Sequence, residues 1–289
     1  MTPTLVRQQL PRAGTAPRVD RCARARDWAE IQERMLVPLY EAVHRRLDIS
    51  TGTRLLGLGC GSGLALLMAA SRGAAVTGVD TGSPGRRALT ALARERLQPE
   101  AWGRRARAGA RIVEGTPEDA ARAPSEGLYD LVTAFEPIGC LAGDSEGLGD
   151  LLASATPLAE RGTPVVLAGW GPPERCTTST VLRVATKLAD PLRSAGSWRP
   201  ALRDDLEEVA QRAGLKPDGS GRVACPFGYA NVDNAVRGLL STGLFDAAIR
   251  ATDQAQVDKE LTEALHPHRR RDGTVWMPNV FRYLIARTP

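Results

Sequence analysis

The chain has 289 residues, 43% hydrophobic and only 4% aromatic, with 38 basic and 33 acidic side chains and a formal charge of +5. That length and apolar content supply the core of one large domain, or of one domain with a lid. The basic excess is mainly Arg scattered among acids, and runs such as Arg104-Arg105 and Arg269-Arg270-Arg271 are short and lack interleaved aromatics, which argues against a nucleic-acid platform.

Five cysteines (Cys22, Cys60, Cys140, Cys176, Cys225) are odd in number and have no C-x-x-C spacing, so neither a zinc site nor a disulfide framework is implied. Residues 1–20 contain Pro and Arg and no apolar segment. They read as neither signal peptide nor membrane anchor, and no apolar run approaches bilayer-spanning length. The expectation is a flexible tail over residues 1–22, a single domain over 23–289 and a cytoplasmic location.

In chain order, Trp28, Ile31, Met35, Leu36, Leu39, Tyr40, Val43 and Leu47 recur at helical spacing, predicting one helix over residues 24–47. Leu55, Leu56 and Leu58 then form a short apolar run, as a strand buried on both faces requires. Gly59, Gly61 and Gly63 follow; without Cβ atoms they can turn sharply and let a ligand press on the backbone. A helix begins near Leu64 and ends at Gly73, and a strand over residues 75–79 closes a βαβ unit.

Asp80 stands at the carboxyl end of that second strand, where a carboxylate can accept both hydroxyls of a ribose. Leu64 occupies the position at which a dinucleotide fingerprint needs Gly or Ala. The NAD pattern therefore fails while G-x-G-x-G holds, and the layout favours S-adenosylmethionine (SAM), which has no pyrophosphate to set on a helix N-terminus.

Further elements are a helix over residues 86–97, an Arg- and Ala-rich connection over 98–110 and a third strand at Ile112-Val113. A fourth strand over 130–135, a helix over 148–158, a fifth strand ending at Trp170, and helices over 178–188 and 201–213 come next. Strand-like stretches over 221–230 and 274–286 enclose an insertion, 232–266, of two or three short helices. Alternating strands and helices predict an α/β doubly wound, mostly parallel sheet, and the insertion is a natural lid.

The run Leu56-Gly57-Leu58-Gly59-Cys60-Gly61-Ser62-Gly63 resembles the first motif of the class I SAM-dependent methyltransferases, and Asp80 matches that family's second-strand acid. Tyr129-Asp130-Leu131-Val132-Thr133-Ala134-Phe135 and Thr163-Pro164-Val165-Val166-Leu167 resemble its fourth and fifth strands, and the likeness spans residues 28–288. The resemblance implies a Rossmann-like seven-stranded sheet with an antiparallel last strand, an N-terminal cover helix, and SAM as cofactor with S-adenosylhomocysteine as product. It assigns the cofactor to Gly57, Gly59, Cys60, Gly61, Ser62, Gly63, Asp80, Thr81, Thr116, Pro117, Glu118, Phe135 and Glu136.

Two positions depart from the family. It usually carries an acid where this chain has Gly57, and often Asp where Thr116 stands, facing the adenine amino group. Each lost charge-assisted hydrogen bond costs about 1.5–3 kcal/mol. Glu118 or Asp119 can substitute at the adenine end; no substitute for the acid at Gly57 is evident from the sequence.

Methyl transfer is an in-line displacement that needs alignment and exclusion of water and only sometimes a base. His44, one turn beyond Tyr40 on the cover helix, is a candidate base, and so is Glu136 past the fourth strand. Tyr40 is a third candidate, and Trp28, Tyr40 and Trp170 are expected to line the substrate pocket. Cys60 reads as packing within the turn. His266 and His268 flank Pro267, which prevents a helical metal pair, so no metal is expected.

The resulting expectation is an enzyme, monomeric or homodimeric, that methylates an oxygen or nitrogen of a small-molecule metabolite, as in natural-product tailoring. Two other readings fit the same residues: a SAM-binding enzyme of cyclase type that transfers no methyl, and a degenerate domain serving as a scaffold.

Overall fold

The computed structural model describes residues 20–83, 85–98, 109–121, 127–140, 143–189 and 205–289. Most of the expected tail, residues 99–108 of the Arg-rich connection and the first turn of the 201–213 helix lie outside the described residues.

Seven strands form the central sheet: β1 Arg54–Leu58, β2 Ala75–Asp80, β3 Ala110–Glu114, β4 Leu131–Ile138, β5 Pro164–Trp170, β6 Lys216–Ala224 and β9 Val280–Arg287. Their order is β3-β2-β1-β4-β5-β9-β6, with β9 antiparallel to both neighbours and the others parallel. The chain reverses direction of growth between β1 and β4, so a crevice opens at their carboxyl ends.

Alternation along the strands divides the core between two layers. Leu55, Val166 and Phe281 face one, with Leu39 and Val43 of α2 (Val37–Arg46) and Leu66 of α3 (Leu64–Ala70). Leu56, Leu58, Val132, Leu167 and Leu284 face the other, with Leu152 of α6 (Leu148–Ala155) and Val209 of α8 (Asp205–Arg212). Helices α4 (Arg87–Arg96), α5 (Pro117–Ala120) and α7 (Thr178–Ala189) complete the layers.

Three expectations about elements are corrected. The N-terminal helix is not regular: α1 (Arg21–Asp27) runs into a π turn at Trp28–Gln32, a 3₁₀ turn at Glu33–Leu36 and then α2. Pro38, in the first turn of α2, has no N–H for the preceding turn and cannot continue a regular ladder. Strand β4 does not stop at Phe135 but reaches Ile138, because it bulges: the five residues from Ala134 to Ile138 oppose three, Leu167 to Gly169, on β5. The two last strand-like stretches are each broken, after Ala224 and after Met277, where Pro226 and Pro278 intervene. The short pieces β7 (Phe227–Tyr229) and β8 (Val275–Met277) pair as a separate antiparallel ribbon.

The insertion comprises α9 (Val232–Ser241), α10 (Asp246–Ala251) and α11 (Gln254–Leu265). It packs on α7 and on the π turn. Arg24 pairs with Asp246 and Arg237 with Asp27, joining the insertion to α1. The buried hydroxyl of Tyr229 donates to Gln32 Oε1 at 2.9 Å, fixing the ribbon to the π turn. No helix among the described residues is long and apolar enough to cross a membrane.

Candidate functional site

The turn after β1 is built on left-handed backbone: φ is +60° at Gly59, +55° at Gly61 and +79° at Gly63. An L side chain pays for that conformation, and at Gly63 a Cβ would also stand 2.9 Å from the Cβ of Ala93 on α4. The turn is one wall of a small cleft that opens to solvent. Leu36, Tyr40, Leu66 and Phe135 form its apolar walls, and Trp28, Glu33, Arg86 and Glu136 supply polar atoms.

Asp80 lies under the turn with its side chain 1% exposed. Its Oδ2 accepts the Gly61 N–H at 3.1 Å, and its Oδ1 accepts Arg86 Nε at 2.7 Å. Burial pushes the Asp80 carboxyl up; Arg86 and the Gly61 N–H oppose that. Arg86 extends over the turn to Glu136, its Nη2 2.8 Å from Glu136 Oε2 and its Nη1 3.4 Å from Oε1. The guanidinium therefore covers Gly59: a Cβ there would lie 3.3 Å from Arg86 Nη2. The β4 bulge carries Glu136 to this position, and its side chain stays 62% exposed.

A second buried carboxylate comes from the N-terminal segment. Glu33 is 4% exposed; its Oε2 accepts the Ser62 hydroxyl and Arg96 Nη1, the latter at 2.9 Å. Arg96 also donates to the carbonyls of Ser62 at 3.1 Å and Ala29 at 3.0 Å, fastening the N-terminal segment to the turn. Burial raises the Glu33 carboxyl, while Ser62, Arg96 and the Leu64 N–H favour its ionised form. At Gly57 Leu66 packs close: a Cβ would stand 2.8 Å from Leu66 Cδ2, so an acid there would need the Leu66 side chain to shift.

Of the residues singled out from the sequence, Trp28, Tyr40, Gly57, Gly59, Cys60, Gly61, Phe135 and Glu136 line the cleft. Asp80, Ser62 and Gly63 form its floor and the back of the turn. The Tyr40 and Phe135 rings meet at 4.9 Å, and burial holds the Tyr40 phenol well above its ordinary value, so it is protonated. Burial pushes the Cys60 thiol up to about 12, and its sulfur packs over Gly78, so it is no nucleophile. The Trp28 indole Nε1 is buried with no hydrogen-bond partner, 3.7 Å from where a Cβ on Gly61 would stand.

Other residues singled out from the sequence lie away from this cleft. His44 does not line the cleft. It lies in the core with its ring edge-on to Phe135 at 6.0 Å, both ring nitrogens without partners, and burial lowers it to about 4. At neutral pH it is an uncharged core residue behind the aromatic wall. Trp170 is not on the cleft either; it packs against Phe281 at 4.6 Å and Phe227 at 5.9 Å. Thr116 caps the short helix α5, its backbone N–H donating to Asp119 Oδ2 at 3.0 Å, and Pro117 is buried in that turn. Glu118 is exposed, with hydrogen bonds to Thr116 and Ser154 that lower its carboxyl. Thr81 is exposed beyond Asp80. None of these four reaches the cleft lining, and Asp119 is engaged in the α5 cap. Among the described residues no group of three His, Cys, Asp or Glu converges on a metal position.

Glu33 and Arg86 were not singled out from the sequence. Glu33 had a signal: it shares the helical stripe of Leu36 and Tyr40, where an acid is out of place. Arg86, six residues past Asp80, had none.

The architecture is that of the class I SAM-dependent methyltransferases. A SAM-dependent methyltransferase from Thiobacillus denitrificans, solved with S-adenosyl-L-homocysteine, aligns with a TM-score of 0.51 and 17% identity, covering 95% of this chain and 100% of that one. The YcgJ protein of Bacillus subtilis aligns at 0.50 and 14% identity over 86% of this chain and 98% of its own. The cyclase SpnF aligns at 0.50 and 15% identity over 87% and 80%. No protein-family model and no curated protein sequence matches the chain.

Proposed function

We propose that this chain is a SAM-dependent methyltransferase acting on an oxygen or nitrogen nucleophile of a small molecule, with a role in natural-product tailoring. One observation carries the reading: a left-handed glycine turn baring its backbone beside a buried acid, Asp80, in the crevice at the switch point of a methyltransferase fold. The donor set fits the cofactor. Asp80 offers a carboxylate suited to a ribose diol once Arg86 yields its Oδ1, and the Trp28 indole N–H is a buried donor still lacking an acceptor. Tyr40 and Phe135 give an aromatic wall suited to a cationic group.

The cofactor supplies, when bound, an electrophilic methyl carried on a positive sulfur. The chain's own residues orient the partners and exclude water: the N-terminal segment covers the turn, and the insertion packs over that segment. Glu136 is the residue we assign to proton removal, since it lines the cleft and stays open to solvent. Tyr40, protonated and buried, shapes the pocket and can donate a hydrogen bond. His44 has no part in the chemistry.

The test is incubation with SAM and panels of phenols, carboxylic acids and amines, following release of S-adenosylhomocysteine and products heavier by one CH₂. Cofactor binding without either signal across the panels would remove methyl transfer. A second reading then leads, a SAM-binding enzyme of cyclase type. One observation favours it: each carboxylate at the cleft is held by a cation, Glu33 by Arg96 and both Asp80 and Glu136 by Arg86, so Glu136 serves as a base only once Arg86 has moved away.

A further inference from the structure

We infer that Glu33 is the residue that receives the ammonium group at the amino-acid end of the cofactor, so that this charge is recognised from the N-terminal segment and not from the first strand. The inference rests on the reading of the cleft as a SAM site. The amino-acid end of that molecule carries an ammonium, and an ammonium leaving water needs a carboxylate to meet it.

Three carboxylates border the cleft. Asp80 uses one oxygen on the Gly61 N–H and the other on Arg86, at the carboxyl end of β2. Both oxygens of Glu136 are turned to Arg86, and its side chain is mostly exposed, where solvent screens its charge. Glu33 is different. Its Oε2 holds Ser62 and Arg96 and the Leu64 N–H also donates to the carboxylate, while Oε1 lies 3.6 Å from the point where a Cβ on Gly61 would stand. Gly61 has no side chain and is left-handed, so that oxygen looks onto bare backbone at the edge of the cleft.

The irregular segment produces this aim. A π turn followed at once by a 3₁₀ turn shifts the phase of the helix, and both Trp28 and Glu33 come to face Gly61. The end of β1 offers no carboxylate for this work, because Gly57 stands there without a side chain and Leu66 Cδ2 packs beside it. Burial also means that the carboxylate acts in a low-dielectric setting, where a paired charge counts for more than at the surface.

A purely structural role makes a different prediction: Glu33 would only fasten the turn, and every ligand of the turn would suffer alike on its loss. Titration calorimetry separates the two, using S-adenosylhomocysteine and its desamino analogue, in which hydrogen replaces the ammonium. The wild type should prefer S-adenosylhomocysteine by about ten- to a hundredfold, the worth of one charge-assisted hydrogen bond. Glu33→Gln should lose most of that preference while keeping its affinity for the desamino analogue within about threefold, a change too small to reflect a lost charge-assisted bond. Glu33→Asp, which keeps the charge, should retain part of the preference.

Equal loss of both ligands in Glu33→Gln, or an undiminished preference, overturns the assignment. Should Glu33→Gln fail to fold, Glu33→Asp decides: no remaining preference overturns it. A wild type that binds both ligands equally overturns it without any variant. A wild type that binds neither overturns the cofactor reading as well, and so the two failures are distinguishable.

Discussion

Removing the Arg86 side chain should tighten cofactor binding. Its guanidinium lies over Gly59 and engages Asp80 Oδ1 at 2.7 Å, the oxygen a ribose hydroxyl would need. Cofactor binding must therefore break that contact. The Asp80 side chain is 1% exposed, so the charge-assisted bond is worth about 1.5–3 kcal/mol. The arm to Glu136, whose side chain is 62% exposed, adds at most about 1 kcal/mol after screening. In Arg86→Ala the competitor is gone, and affinity for S-adenosylhomocysteine should rise by about ten- to a hundredfold.

The pH dependence follows from Asp80. Burial already raises its carboxyl, and Arg86 opposes that shift, so the variant's Asp80 protonates at higher pH than the wild type's. The gain should be full near pH 8 and shrink as pH falls. The assay is calorimetric titration of wild type and Arg86→Ala at both ends of that range. Weaker binding by Arg86→Ala at pH 8 would refute the reasoning, because it would mean that the guanidinium contacts the ligand instead of displacing it.

His44→Leu should leave S-adenosylhomocysteine affinity unchanged and flatten the acid limb of stability. The folded imidazole titrates at about 4 against an ordinary 6.5, so its contribution is full above pH 6.5 and is lost as pH falls toward 4. That loss amounts to about 3 kcal/mol in all, roughly 2 of it by pH 5. Urea melts at pH 7.5 and 5 check it, and an unchanged difference between the two pH values in the variant would contradict the burial argument. Gly63→Ala should destabilise the protein by more than about 1 kcal/mol, combining a φ of +79° with a Cβ 2.9 Å from Ala93. A melting midpoint equal to wild type would show that α4 yields there.

The sequence made the βαβ unit legible because its signals are local: an apolar run, three alternating glycines and an acid at a strand's end. The count of seven strands and the antiparallel last one came from the resemblance, not from spacing, and the fold agrees with both, while the strand order was read only from the structure. What escaped was produced by distant partners. Glu33 meets Ser62 across 29 positions and Arg96 across 63, and no local pattern joins them. His44 shares a helical face with Tyr40, yet its ring lies behind Phe135 in the core. Glu136 reaches the cleft through a bulge that strand periodicity does not announce. Pro38, Pro226 and Pro278 did mark the irregular helix and the broken strands, and could have been read as breaks. At the adenine end, the expected stand-ins Glu118 and Asp119 are turned to α6 and to the α5 cap.

The most direct test of the central claim is titration of SAM and S-adenosylhomocysteine into the wild type and Asp80→Ala. The account predicts micromolar binding by the wild type and binding weaker by at least about tenfold in Asp80→Ala, since the variant lacks the carboxylate for the ribose hydroxyls. Equal binding by the two proteins, or none by the wild type at millimolar ligand, would contradict it.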